Sequence, residues 1–425
     1  MTLPEEFTTY TRALMGEERF ARFLGALDEP APVSIRVNLF KAEATPETGA
    51  DRVAWCRGGY YLDSRPAFTF DPLLHAGAYY VQEASSMFID HVVRQFVHAP
   101  VTALDLCAAP GGKTTCLRAA LPEGSRLYSN EPHPKRAQIL AENVVKFGHP
   151  EVVVTNNYAI DYQRAGLRFG LILADMPCSG EGMFRKDPES IGEWSPANVE
   201  KCAALQRSIL ADIWPCLLPG GLLIYSTCTF NAHENEDNIA FAVEQLGAEP
   251  VAIPVEEAWR VTGPLTGCHP ICRFIPGTTR GEGLAVALLR KPETAADLPT
   301  RDRGSGRTTP LLRVLSDGIK PPQVKGKKTL PDVSQALTIL DEANPYPRVD
   351  VGYDEAIAYL RRESITLPAA APKGLVTVCH EGFALGFAKN LGTRANNLYP
   401  QEWRIRSTHR PEDRPVVSLT PIVHP

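Results

Sequence analysis

The run Leu104-Asp105-Leu106-Cys107-Ala108-Ala109-Pro110-Gly111-Gly112-Lys113-Thr114-Thr115 constrains this chain more than any other stretch of it. An apolar segment, Val101 to Leu106, carries an acid near its end and breaks into a Pro-Gly-Gly turn, after which Thr114 to Leu121 has helical spacing. A strand, a tight loop and a helix start are expected in succession. Two adjacent glycines let the backbone approach a ligand closely, and the helix start behind them offers unpaired N–H groups, so a nucleotide-like ligand is the natural guest. A P-loop would need glycine where Cys107 stands, and the Gly-x-Gly-x-x-Gly dinucleotide fingerprint is absent. From this loop alone an ordinary glycine-rich turn stays open.

The surroundings of the loop point to an α/β domain. Apolar strands are expected at 101–106, 125–130, 151–155, 170–175, 220–227 and 283–290, and helices at 114–121, 134–147, 197–216 and 233–246. Such alternation calls for a parallel sheet covered on both faces, with ligands beyond the carboxyl ends of its strands. Residues 1–95 read as a separate mixed module, helical over Phe7 to Leu27 and alternating over Val33 to Leu39. The core domain then covers 96–291. Residues 292–345, with Pro292, Pro299, Pro321, Pro322 and Pro331, have the composition of a linker, and 346–425 read as a compact β module. In that last module Tyr353 to Arg362 is expected as helix, and 374–378, 383–388 and 403–406 as strands.

Composition narrows the function classes. A chain of 425 residues with 44% apolar content can build several cores. Neither a leader-type apolar stretch in Met1 to Tyr10 nor a run of eighteen apolar residues is present, so no membrane association is expected. The ten cysteines include no Cys-x-x-Cys pair, and the closest two, Cys268 and Cys272, lack partners at zinc-site spacing. Reduced thiols, a cytoplasmic location, no metal and a monomer are the expectation. Net charge is −5, distributed unevenly: from Lys291 onward 19 basic residues face 15 acidic ones, leaving −9 on the first 290. Any polyanion contact must therefore be local, through groups such as Arg36 and through the C-terminal part. The stretch 301–328, with eight bases and two acids, reads most simply as a solvated linker.

The chemically loaded residues stand at strand ends. Glu131 closes the second strand, where an acid can accept hydrogen bonds from a ribose diol, although a solvent-facing carboxylate would look the same. Leu171-Ile172-Leu173-Ala174-Asp175-Met176-Pro177-Cys178 delivers an acid and a cysteine to the sheet edge, and Ile224-Tyr225-Ser226-Thr227-Cys228 delivers a second cysteine. Either cysteine alone is best read as an inert buried thiol; two at strand ends beside a nucleotide-type loop reverse that reading.

The segments Asp105 to Thr114, Asp175-Met176-Pro177-Cys178 and Ser226-Thr227-Cys228-Thr229 closely resemble the RNA cytosine-5 methyltransferases of the Sun/RsmF family. Ser34-Ile35-Arg36-Val37-Asn38 and Tyr80 to Ser86 resemble that family's N-terminal RNA-binding signatures. Gly386 to Lys389 and Asn396 to Pro400 resemble the PUA-like tail of its bacterial 16S rRNA branch. The resemblance implies a Rossmann-like class I methyltransferase sheet flanked by an N-terminal α+β RNA-binding module and a C-terminal PUA-like β module. It implies Cys228 as nucleophile toward carbon 6 of cytosine, Cys178 as the thiol that helps remove the carbon-5 proton, and Asp175 as partner of the base. S-adenosyl-L-methionine would lie across Cys107, Ala108, Ala109, Pro110, Gly111, Gly112 and Lys113, beside Asp175, with Glu131 on the ribose. Asn157 stands where the family usually places an aspartate near the adenine amine; Asp161, four residues later, is the alternative. Lys113 is expected at the active-site loop or the cofactor, and Lys186 either at RNA phosphate or paired with Asp187.

The implied partner is RNA, 16S rRNA above all, with tRNA as the alternative. A methyltransferase acting on a small molecule or a protein would have no need of a carbon-adding thiolate. A non-catalytic ribosome-assembly factor on the same fold would be free to lose Cys228, Cys178 or Asp175, and all three are present.

Overall fold

The computed structural model describes residues 1–44, 51–295, 312–325, 328–407 and 418–422. Helices α1 (Glu5–Met15) and α2 (Glu17–Leu27) open the chain, broken apart by Gly16 at φ 76°. Their apolar stripes, Phe7 and Met15 on one and Phe20, Phe23 and Leu27 on the other, share a core with Phe184, Trp194 and Phe230. Phe184 and Phe230 follow the two cysteine-bearing loops, and the Phe7–Phe184 and Phe23–Phe230 ring centroids lie 5.1 and 4.9 Å apart. The helical pair is thus a buttress behind those loops. Strands β1 (Val33–Val37), β2 (Ala42–Ala44) and β3 (Gly59–Leu62), the short helix α3 (Pro72–His75) and β4 (Tyr79–Val81) follow, with β1 central in an antiparallel β3-β1-β4 sheet. Helix α4 (Phe88–Phe96) leads into the core domain.

That domain runs β5 (Thr102–Asp105), α5 (Gly112–Ala120), β6 (Arg126–Asn130), α6 (Pro134–Phe147), β7 (Val152–Thr155), α7 (Ala159–Ala165), β8 (Phe169–Asp175), α8 (Glu189–Glu193), α9 (Pro196–Ile213), β9 (Leu217–Thr227), α10 (Glu236–Leu246), β10 (Glu249–Val251), β11 (Cys272–Phe274) and β12 (Leu284–Arg290). The order β10-β12-β9-β8-β5-β6-β7 is parallel from β9 to β7 and antiparallel at β12, with β11 also pairing β12. Each central strand buries both faces. Leu171, Leu173, Leu222 and Ile224 pack into one core layer, and Ile172, Ala174, Leu223 and Tyr225 into the other. This is why the strands read as continuous apolar runs rather than as alternating ones.

The expected linker, 292–345, is a correction. Strand β13 (Val314–Asp317) pairs antiparallel with β7 and makes the ninth strand of the sheet. Leu312 reaches one core layer and Leu315 the other, so a short apolar pair inside a proline-rich, basic stretch covers the open edge of β7. Hairpin β14 (Gln323–Lys325) and β15 (Lys328–Leu330) and helix α11 (Val333–Leu337) follow, and Ile339 N–H donates to Gly148 O at the end of α6. The basic residues Arg301, Arg303 and Arg307 lie outside the described residues.

The C-terminal module has β16 (Arg348–Asp350), α12 (Tyr353–Leu360), β17 (Gly374–His380), β18 (Phe383–Asn390) and β19 (Ala395–Asn397) in a β16-β17-β18-β19 sheet, and β20 (Leu419–Pro421) pairs with β2 of the N-terminal module. The strand expected at 403–406 is a second correction. Gln401–Trp403 is a 3₁₀ turn, and the Trp403 ring packs against Tyr399 and receives the Lys146 ammonium 5.3 Å from its centroid. A third concerns Arg36, which is buried rather than presented to a polyanion: its guanidinium donates to Gln82 Oε1 at 2.7 Å and to Thr115 Oγ1 at 2.5 Å, tying the N-terminal sheet to α5.

The two flanking modules are one body. Ile35, Val37, Phe70, Leu73 and Tyr79 bury against Val349, Ile357, Tyr359, Leu360 and Leu419 in a single core. Tyr353 OH donates to Phe70 O and Ile422 N–H to Lys41 O, so hydrogen bonds to main-chain carbonyls cross the same seam. Leu360→Ala is expected to destabilise the whole protein by about 2–5 kcal/mol, because the cavity opens in a core that both modules need. Denaturant unfolding followed by circular dichroism checks this; a loss confined to a small separate transition would mean that the modules are independent.

Candidate active site

Every loaded side chain sits at the carboxyl end of a parallel strand, around the crevice where the chain reverses its direction across the sheet between β5 and β8. The β8–β9 register sets the chemistry: Asp175 lies opposite Ser226, so the loops that follow, each carrying a cysteine, start side by side. Cys178 Sγ and Cys228 Sγ are 3.2 Å apart. A backbone bond from Gly182 N–H to Cys228 O, 2.7 Å, joins the loops. Gly182 has no room for a side chain, since a Cβ there would lie 2.2 Å from that carbonyl oxygen.

Lys113, in the first turn of α5, donates to Asp175 Oδ2 at 3.0 Å, and Ser226 Oγ donates to Asp175 Oδ1 at 2.8 Å. Burial alone would lower the Lys113 pKa, but the Asp175 carboxylate outweighs it and the net shift is upward, so Lys113 carries its charge at neutral pH. The thiols are driven apart. Cys228 is lowered from the ordinary thiol value, first by the hydrogen bond from Cys178, with burial and Asp175 opposing and the Lys113 ammonium assisting. Cys178 is raised well above it, by the same hydrogen bond and by burial. The ammonium acts on Cys228, so the thiolate belongs there and Cys178 keeps its proton.

The 107–113 loop forms a cradle suited to a small polar ligand. Gly111 adopts φ 116°, a conformation that favours glycine, and caps α5 with N–H groups directed outward. Beneath it Asp105 is fully buried. Thr114 Oγ1 donates to its Oδ2 at 2.6 Å, while Oδ1 has no partner among the described residues, and burial raises the carboxyl to about 7. An orphaned, fully buried carboxylate oxygen is costly unless a donor arrives, and a cationic amine would satisfy it. Glu131, 2% exposed, accepts from His133 N–H at 2.9 Å and faces Arg136 at 3.3 Å, which leaves acceptor capacity on both oxygens.

Asn157 lies beside the cradle through its main chain, which bonds the Asn130 side chain, while Asn130 O accepts from Ala108 N–H. The Asn157 side-chain amide is engaged at both ends by one residue of the strand-forming segment, donating to Arg313 O at 3.2 Å and accepting from Arg313 N–H at 3.0 Å. Asp161 is engaged too, capping α7 through Tyr158 N–H and pairing with Arg164. Lys186 lies 3.9 Å from Glu282, whose carboxylate is held mainly by Arg185. Sequence reasoning missed the fully buried, half-satisfied carboxylate of Asp105, and Ser226 as the orienter of Asp175. The signal for Asp105 was an acid closing an otherwise apolar strand.

The Lys113 ammonium, paired with Asp175, also acts electrostatically on Cys228, and this has a pH consequence. In Lys113→Met the thiolate loses its cation and faces an uncompensated carboxylate, so the pH midpoint for alkylation of Cys228 should rise. Peptide-resolved iodoacetamide kinetics checks this; an unchanged midpoint would remove Lys113 from the account.

The family model for 16S rRNA methyltransferase RsmB/F matches residues 98–290, that for the N-terminal domain of RsmF matches 3–84, and that for the RsmF PUA domain matches 346–405. Ribosomal RNA small subunit methyltransferase F of Serratia proteamaculans (strain 568) is 31% identical over 329 residues, covering 73% of this chain and 68% of that protein. The protein of the same name from Escherichia coli O9:H4 (strain HS) is 28% identical over 468 residues, covering 94% and 96%. Among solved structures, a methyltransferase homologue from Pyrococcus horikoshii superposes with a TM-score of 0.58 at 25% identity, over 68% of this chain and 95% of that one. NSun6 from the same organism, solved with SFG, has a TM-score of 0.58 at 20% identity, over 68% and 98%. The helical pair, the thiol-bearing sheet edge and the C-terminal β module thus fall within matched regions, and the chain belongs to the RsmF family of 16S rRNA methyltransferases.

Proposed function

We propose that this protein methylates carbon 5 of a cytosine in RNA, most simply in the 16S rRNA of the small ribosomal subunit, through a covalent adduct with Cys228. The observation that carries the reading is the pair of thiols 3.2 Å apart, with a lysine that favours the thiolate on one of them. Carbon 5 of cytosine is too weak a nucleophile to take a methyl group unaided. The Cys228 thiolate adds to carbon 6, forming an S–C bond and pushing electron density onto carbon 5 and the N3–O2 side of the ring. S-adenosyl-L-methionine is the cofactor of this methyltransferase family and supplies the electrophilic methyl group.

The chain's own residues do the rest. Gly111, Gly112 and Asp105 offer it N–H donors and a carboxylate, and Glu131 offers acceptors for hydroxyl groups. Asp175, held by Ser226 and Lys113, faces the base, and the Lys113 ammonium beside it stabilises the negative charge that builds on the ring. After methylation the proton leaves carbon 5 and the S–C6 bond breaks, which restores the aromatic ring and frees Cys228. Cys178, protonated beforehand, would pass its proton to the departing Cys228 sulfur as it takes up the carbon-5 proton, so the proton count closes.

RNA would be held by the flanking body rather than by the acidic core domain. The C-terminal module presents Lys373, Lys389, Arg394, Arg404 and Arg406 to solvent. A base in folded rRNA must be flipped outward to reach Cys228, at a cost of about a few kcal/mol that such contacts offset. Among the described residues no helix is long and apolar enough to cross a membrane.

Cys228→Ala should reduce methyl transfer to small-subunit RNA to background while S-adenosylmethionine still binds, as read by bisulfite sequencing and calorimetry. Retained transfer would sink the assignment. Cys178→Ala should still attack but release slowly, so that an RNA–protein band survives denaturing electrophoresis; no such band on an RNA that the wild type methylates would give Cys178 another role.

A further inference from the structure

The loop after Cys228, Thr229 to Asn231, belongs to neither strand nor helix, yet its main-chain groups are claimed by buried side chains. Glu181, 1% exposed, receives Phe230 N–H at 2.6 Å, Asn231 N–H at 2.9 Å and the Thr229 hydroxyl at 2.5 Å on one oxygen. Its other oxygen receives the Trp194 indole N–H and the Asn231 amide, both at 3.0 Å. On the carbonyl side Arg273, 1% exposed and paired with Glu236, donates to Thr229 O and Phe230 O. A second buried carboxylate, Glu234, receives Ser179 N–H at 3.0 Å from the Cys178 loop, the Gln206 amide at 2.7 Å and the Asn231 amide at 2.8 Å.

Burying a carboxylate is strongly unfavourable unless several donors surround it, and once fully satisfied such a network has little freedom to shift. Glu181 belongs to the loop of Cys178, but its acceptors are taken up by the loop of Cys228. We infer that Glu181 is a positioning residue that fixes the separation of the two thiols, with Glu234 bonded to both loops and Arg273 holding the carbonyls of the Cys228 loop. Buried as it is, Glu181 does not reach a substrate, so its effect passes through Cys228. The inference rests on Cys228 being the nucleophile. A displacement of about 1 Å at a reacting group can cost about 100-fold in rate, which is the scale on which a loosened clamp would act.

Glu181→Gln keeps the shape but turns an N–H₂ toward donors that need an acceptor, and Trp194→Phe removes a single donor while keeping the ring. The first readout is thiol proximity in the full-length protein without RNA: diamide takes two electrons and two protons from Cys178 and Cys228 as their disulfide forms, followed by peptide mass. Alkylation of the exposed Cys268 serves as a control for general loosening. The disulfide should form about tenfold more slowly in Glu181→Gln and a few-fold more slowly in Trp194→Phe, with Cys268 unaffected. On RNA that the wild type methylates, kcat of Glu181→Gln should fall about 10- to 100-fold while KM for RNA and for S-adenosylmethionine changes by less than about twofold.

An unchanged disulfide rate in folded Glu181→Gln overturns the proposal, as does a kcat loss matched by a rise in KM. Should Glu181→Gln fail to fold, Trp194→Phe decides alone, and a wild-type disulfide rate there overturns it. Because the disulfide readout needs no RNA, a slowed disulfide in a protein whose wild type methylates no cytosine would reject the substrate reading and leave the clamp standing.

Discussion

Asp175 and Ser226 face one another at the ends of two parallel strands, and the rest of the site depends on that register. A slip of one residue between β8 and β9 would turn every side chain of one strand to the opposite core layer, burying what now points to the crevice. Both strands are apolar on both faces, so the register rests on the fit of particular side chains, with Leu171, Leu173, Leu222 and Ile224 in one layer and Ile172, Ala174, Leu223 and Tyr225 in the other. The thiols therefore meet because of core packing, before any polar contact is counted. Polar contacts then refine the meeting. The Gly182 N–H bond to Cys228 O requires a residue without a side chain, and Lys113 arrives from the neighbouring β5–α5 turn to bias the thiol pair toward one thiolate.

What lies outside the sheet supports the same crevice. The helical pair α1 and α2 packs on Phe184 and Phe230, so the N-terminal module holds the far ends of both cysteine loops. The same module shares its second core with the C-terminal β module. Mechanical continuity thus runs from the C-terminal module through the N-terminal one to the thiols. Under the proposed function, RNA held by the flanking body would be registered against a rigid nucleophile, while the acidic core domain contributes little net attraction.

Sequence patterning resolved the parts that periodicity or residue chemistry encodes strongly. The strand, turn and helix at 101–121, the strands leading to Asp175 and Cys228, and the helix at 134–147 match β5, α5, β8, β9 and α6 to within a few residues at their ends. The misses have physical reasons. Leu312 and Leu315 are too few to register as a strand inside a proline-rich, basic run, yet they suffice to cover an open sheet edge. Arg36 looked like a phosphate contact because a cation in a polar motif carries no mark of burial; its partners, Gln82 and Thr115, are 46 and 79 residues away. The bonds between the Asn157 amide and Arg313 come from a segment whose docking was invisible in composition. Trp403 has strand-like neighbours, and a tertiary contact with Lys146 decides its place instead.

The central claim is that Cys228, and not Cys178, bonds to the base. Small-subunit RNA transcribed with 5-fluorocytidine cannot lose a proton from carbon 5 after methyl transfer, so the adduct should accumulate with the wild-type protein. Digestion and mass analysis should place a methylated fluorocytidine on the peptide carrying Cys228, with the Cys178 peptide unmodified. An adduct on Cys178, or methylated RNA with neither thiol modified, would contradict the account.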